Sequence, residues 1–92
     1  GVFALHQTYP NPFNPVTTIR YDVPEQAHVT MEIYNLLGQK VATLVNGIQE
    51  PGYHAIMWNG TNMSGAAMSS GMYFYHIQAG DFRSVKKLIL VK

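Results

Sequence analysis

The residues able to do chemistry are few, and their spacing argues against catalysis. The histidines are His6, His28, His54 and His76. Structural and catalytic zinc sites draw ligands from short, fixed spacings, and these four are scattered with no such pattern. The carboxylates are Asp22, Glu25, Glu32, Glu50 and Asp81. Asp22 and Glu32, on adjacent strands, could serve as a glycosidase acid–base pair, but a chain of 92 residues leaves little room for an enclosing cleft. Ser64, Ser69, Ser70 and Ser84 lack the glycine-flanked turn that presents a nucleophilic hydroxyl. Asn59-Gly60-Thr61 and Asn62-Met63-Ser64 fit the N-glycosylation sequon, a match that arises by chance in a run of small residues. No catalytic residue, metal ligand or cofactor site is assigned, and the chain is not expected to be an enzyme.

Composition narrows the classes further. A 92-residue chain that is 47% hydrophobic is expected to form one domain with a two-layer core. Charged residues are 12% and the net charge is +1, so no broad electrostatic surface for nucleic acid or an anionic membrane is expected. No apolar run reaches transmembrane length. Gly1 is not followed by a signal-peptide pattern, so any export address is expected elsewhere. Cysteine is absent, which excludes a disulfide framework.

The elements that would position these residues are strands. Thr17 to Val23 alternates apolar and polar side chains until Pro24 ends it. His28 to Tyr34 repeats the alternation, and Leu36-Leu37-Gly38-Gln39 breaks it, with Gly38 at positive φ. Val41 to Val45 forms a third strand; Asn46-Gly47 and Pro51-Gly52 bracket the next turn. Tyr53 to Trp58 is a fourth. Asn59 to Gly71 is a loop with a short strand near Ala66 to Met68. Met72 to Gln78 and Phe82 to Val91 pair across the Ala79-Gly80-Asp81 turn. About seven short strands with closely spaced turns describe an all-β, immunoglobulin-like antiparallel sandwich. Its expected core is Ile19, Tyr21, Val29, Met31, Ile33, Val41, Ile56, Trp58, Tyr73, Tyr75 and Ile77.

Two stretches depart from simple alternation. Tyr9-Pro10-Asn11-Pro12-Phe13-Asn14-Pro15 holds three prolines in six residues. Each proline fixes its own φ and restricts the residue before it, so residues 9–15 are expected to form a stiff, extended corner outside any ladder. Phe13 on this frame either plugs one end of the sandwich, where burial is worth roughly 1.5–3 kcal/mol, or stacks on a ligand. Lys86-Lys87-Leu88-Ile89-Leu90-Val91-Lys92 is an apolar run between charges. Such a run is either a central strand buried on both faces or an edge that something covers. Lysines at its ends guard against aggregation or offer a recognition feature.

Taken in order, YPNPFNP, TTIRYDVP, IYNLLGQKVATLV, GYHAIMWNG, SGMYFYHIQAG and KKLILVK resemble one family along nearly the whole chain. It is the type A C-terminal sorting domain of the type IX (Por) secretion system of Bacteroidetes and related bacteria, similar in fold to the immunoglobulin-like domain of flagellar hook-capping proteins. The resemblance implies that residues 1–92 are a single sorting domain, with 1–16 leading into the sandwich of 17–92. It implies a signal that carries an upstream cargo domain by way of the periplasm across the outer membrane, to the cell surface or the medium. The implied partners are the outer-membrane translocon and a sortase-like peptidase that usually removes the domain; neither nucleic acid nor membrane insertion is implied. The motif positions are Asn11 and Pro12, Gly38, Gly71 and Tyr73, then Lys86, Lys87 and Lys92. Relatives often carry aspartates after the tryptophan, whereas Asn59 to Gly65 here has no carboxylate, which counts against a calcium role. A carbohydrate-binding module, stacking sugars on Tyr53, Trp58, Tyr73 and Tyr75, and a passive immunoglobulin-like spacer are the alternatives.

Overall fold

The computed structural model describes residues 1–92. Seven strands run β1 (Ala4–Leu5), β2 (Thr17–Val23), β3 (Ala27–Tyr34), β4 (Lys40–Gln49), β5 (Gly52–Trp58), β6 (Gly71–Ala79) and β7 (Phe82–Leu90). They form two antiparallel sheets, ordered β1-β2-β5 and β4-β3-β6-β7. This is the all-β sandwich read from the alternation.

The alternation is visible in burial. In β2, Thr17, Ile19, Tyr21 and Val23 are buried while Arg20 between them is exposed. In β3, Val29, Met31 and Ile33 face the same core. Side chains of successive strand residues point to opposite faces, so one polar and one apolar row is what a half-buried sheet requires. Of the expected core, Ile56 alone lies only partly buried, packed at the margin. Its strand, β5, is an edge strand, and edge positions lose cover on one side.

β4 differs from expectation in length. Its pairing with β3 continues through Thr30↔Asn46 and Val29↔Gly47 to Ala27↔Gln49. Asn46-Gly47 is therefore inside the strand, and the turn contracts to Glu50 and Pro51. The ladder offered by β3 outweighs the local turn preference of Asn-Gly. Two register shifts interrupt the same pairing, at Met31/Glu32 and Ile33/Tyr34. Each admits one extra residue into β4, which is how the consecutive Val41 and Ala42 both become buried.

On the outer face of the four-stranded sheet, Glu32 accepts hydrogen bonds from Tyr34 (2.8 Å) and Lys40 (3.0 Å). Burial pushes the Glu32 carboxyl up, but these two bonds outweigh it and hold its pKa below the usual value. Asp22 instead meets His6 at 3.0 Å on the other sheet.

The loop after β5 is not a strand near Ala66 to Met68; only a Thr61↔Ala67 bridge forms there. Asn62 organises it, its carboxamide oxygen accepting from Ser64 N (3.0 Å), Ser64 Oγ (2.8 Å) and Ala66 N (3.0 Å). Trp58 closes the loop onto the core by donating Nε1–H to Thr61 O at 2.9 Å. The indole packs between Phe13 and Tyr73, with ring centroids at 5.5 and 5.4 Å. Trp58→Ala removes this hub and should lower stability by about 3–5 kcal/mol. A denaturant midpoint left unchanged would contradict it.

Candidate functional site

The proline-rich corner is a strap between the two sheets. It begins at β1, beside β2 in the three-stranded sheet, and Tyr9 still bridges to Thr18, each donating N–H to the other's carbonyl at 3.1 Å. The hydroxyls of Thr8 and Thr17, both buried, meet at 2.6 Å. Thr17 Oγ1 lies 2.7 Å from Pro10 O and Thr8 Oγ1 lies 2.8 Å from Thr18 O. The peptide bonds before Pro10, Pro12 and Pro15 are cis. The strap then crosses to the free side of β7.

There it does what the sequence did not lead one to expect. Phe13 N–H donates to Ile89 O and Phe13 O accepts from Val91 N, both at 2.9 Å. The corner thus joins the ladder through Phe13, a residue that keeps its N–H between the prolines. Asn11 adds a side-chain clamp: Oδ1 accepts from Ile89 N at 2.9 Å and Nδ2 donates to Lys87 O at 3.4 Å. Gln7 Nε2 donates to the same Lys87 O at 3.1 Å. β7 is accordingly not a central strand but an edge strand with half of its edge covered. Phe13, 1% exposed, plugs the sandwich end and is not placed to stack on a ligand.

Tyr75 ties the strap from below. Its hydroxyl donates to His6 O at 2.7 Å and accepts from Thr8 N at 2.9 Å. Burial of the ring pushes its pKa up to about 12.

The motif residues gather at one end of the sandwich. The cross-sheet row Tyr34↔Phe74↔Lys87 marks it. Beyond that row lie the Gly38 turn, Gly71, Tyr73, Leu90 and Lys92, with Asn11 clamped against Lys87 and Ile89. Gly38, at φ +79, donates N–H to Asn35 O at 3.0 Å and ends the β3–β4 hairpin. Gly71, at φ +154, opens β6 in a conformation a side chain would strain. Lys92 N–H donates to Ser70 Oγ at 3.0 Å beside it. Pro12 and Lys87 are exposed, Lys86 is half-buried, and Tyr73 is buried with its hydroxyl on Ser69 O. Lys86 and Lys87 fall on opposite faces of the sheet, opposite Tyr75 and Phe74.

Gln7, Thr8, Thr17 and Ser70 carry no motif of their own. Their partners are remote in sequence, as Gln7 and Lys87 illustrate. No three His, Asp or Glu side chains converge. Of the four aromatics expected to stack a sugar, Trp58, Tyr73 and Tyr75 are buried and Tyr53 is exposed.

Residues 7–92 match the family described as "Secretion system C-terminal sorting domain". The chain belongs to that family. The resemblance read from the motifs, to the type IX sorting domain, is borne out, and the family is one of sorting signals. Among solved structures, the sorting domain is similar to part of dimeric latent PorU from Porphyromonas gingivalis, with 24% identity and a TM-score of 0.78, over 98% of this chain and 9% of that one. It is similar to part of PorZ from the same organism, a surface component of the type IX secretion system, at 19% identity and a TM-score of 0.66, over 96% of this chain and 11% of that one. It also resembles FlgD from P. aeruginosa, at 21% identity and a TM-score of 0.63, over 86% of this chain and 67% of that one. These likenesses concern the fold. The sorting domain spans about a tenth of the PorU and PorZ chains. No curated protein sequence matches it.

Two outcomes follow from the strap. Asn11→Ala leaves Ile89 N–H without its acceptor and should cost about 1–2 kcal/mol, with amide exchange accelerated at Ile89. Tyr75 has a folded pKa raised above its unfolded value of 10.0. Its contribution is therefore complete below about pH 10 and is lost as pH rises through about 12. Stability measured across that window should fall for the parent and fall less steeply for Tyr75→Phe, which has no proton to lose.

Proposed function

We propose that residues 1–92 act as one unit, a signal rather than a catalyst, that carries a cargo domain of the same polypeptide through the type IX system. The cargo crosses the outer membrane by way of the periplasm and reaches the cell surface or the medium. The outer-membrane translocon engages the domain, and a sortase-like peptidase then removes it. The observation that carries this reading is the family match over residues 7–92. The gathering of the motif residues at one end of the sandwich supports it. No helix is long and apolar enough to cross a membrane.

Within this reading the exposed residues at that end are what a receptor meets, namely Pro12, Lys87 and Lys92, with Lys86 at the rim and Asn11, in the strap, half-buried. Gly38, Gly71 and Tyr73 act through shape, since two set turns and the third is buried. Neither Lys86, Lys87 nor Lys92 takes part in an ion pair. Exposed side chains of this kind alter stability by about 0.5 kcal/mol or less, so their removal separates recognition from folding. A fusion of a signal peptide, a fluorescent protein and residues 1–92 should reach the surface or medium of a host with an active type IX system. The fusion carrying Lys86→Ala and Lys87→Ala should stay folded and accumulate in the periplasm. Absence of export for the intact fusion would refute the sorting reading; equal export of the folded double variant would refute only the role of the two lysines.

A further inference from the structure

The strap hydrogen-bonds only part of the β7 edge; β1 packs nearby and Phe3 stacks on Phe82 at 5.6 Å, yet neither pairs with the rest of the edge, which keeps a definite backbone pattern. In an antiparallel ladder, alternate residues turn both peptide groups toward the neighbour or away from it. Ile89 turns away from β6, because its N–H and C=O bond to Asn11 and Phe13. The β6–β7 register runs without a bulge from Gly71↔Leu90 to Ala79↔Phe82, so Lys87, Val85 and Arg83 turn away as well. Lys87 O is taken by Gln7 and Asn11. The N–H and C=O of Val85 and of Arg83, and the N–H of Lys87, have no protein partner.

The charged side chains of β7 along this edge are all basic, and Asp81 in the turn before Phe82 is the nearest carboxylate in sequence. Arg83, Val85 and Lys87 lie on the outer face, opposite Gln78, His76 and Phe74, and Val85 is 58% exposed. Lys86 sits on the inner face at the rim. β6 and β7 contain no carboxylate, and four of the six Lys and Arg residues of the chain are Arg83, Lys86, Lys87 and Lys92. Neither ion pair of the molecule involves them.

We propose that the Arg83–Lys87 edge of β7 is a docking site for an extended segment of a partner protein, added as a further strand of the four-stranded sheet. Backbone bonds to Arg83 and Val85 supply the register, and side chains supply the choice of partner. Cross-strand neighbours on one face recur every second residue. The segment that fits therefore carries an acid opposite Arg83, an apolar residue opposite Val85 and an acid opposite Lys87. A segment that runs past Lys87 meets the strap, so the clamp by Gln7, Asn11 and Phe13 sets the far limit of the site.

The test uses the 92-residue chain labelled with nitrogen-15 and a peptide of about eight residues centred on Glu-Thr-Val-Thr-Glu. At about nine-tenths occupancy the peptide should slow amide exchange at Arg83 and Val85 roughly tenfold. A peptide centred on Lys-Thr-Val-Thr-Lys should not, and added salt should weaken the effect. Val85→Pro removes one outward N–H at a position where an edge strand tolerates proline, and should abolish the protection. Arg83→Glu with Lys87→Glu keeps the backbone intact and should exchange the preference to the basic peptide. No protection by the acidic peptide, equal protection by both, protection along β5 instead, or slowed exchange from self-association without peptide would each overturn the proposal. This arm rests on geometry alone. The export arm rests on the sorting reading: folded Arg83→Glu with Lys87→Glu fusions should be retained while the parent fusion is exported. Equal export removes this edge from the process and leaves the sorting reading intact, whereas failure of the parent removes that reading and leaves the peptide result standing.

Discussion

The peptide group of Phe13 holds the sandwich closed at β7. A strand at the margin of a sheet exposes donors and acceptors that must be satisfied by water or by protein. Here the leading segment crosses from one sheet to the other, and the N–H and C=O of Phe13 pair with Ile89 O and Val91 N. The same step drives the Phe13 ring onto Trp58. Backbone pairing and aromatic burial thus depend on one residue being held in one place. The prolines restrict the chain on both sides of it, and Thr8, Thr17 and Tyr75 fasten the segment at its root.

What the interior uses, the surface cannot. Three of the six tyrosines, Tyr21, Tyr73 and Tyr75, are buried. Each has its hydroxyl on a protein partner, and no buried side-chain polar atom is left unpaired. Three of the four histidines are likewise occupied singly, His6 with Asp22, His28 with Asn46 and His54 with Glu50 O, while His76 packs edge-on against Tyr34. A molecule so arranged offers neighbours a shape and a set of charges.

Strand alternation in β2, β3 and β6 was legible because side-chain period and burial coincide there. β4 runs through Asn46-Gly47 against the sequence pattern, since a two-residue turn preference is local, while the ladder with β3 is not. The last strand defeated a choice between centre and edge. An apolar run records that Leu88 and Leu90 are buried and Ile89 partly covered, but not what covers them. The strap, a segment nearly a full chain length away, is what answers that question. Type and stiff surroundings left Phe13 between a plug and a ligand-stacking residue, and its burial against Trp58 decides for the plug. Its hydrogen bonds could not be foreseen, because proline-rich sequence argues against a ladder and gives no hint of a partner. The motif positions were read from order and spacing, yet their convergence at one end depends on register between strands.

The strap also ties the two ends of the chain together. Gln7 meets Lys87 and Phe13 meets Val91, so the contacts that finish the sandwich span almost its whole length. High contact order slows folding, because the entropy of closing a long loop is lost before the contact rewards it. A chain emerging from the ribosome can form the β2–β5 and β3–β4 pairs early but must wait for β7 to seal the core around Phe13 and Leu90. Closure of the sandwich therefore depends on residues as far along as Val91: a product cut short before it keeps an open edge and an unplugged end.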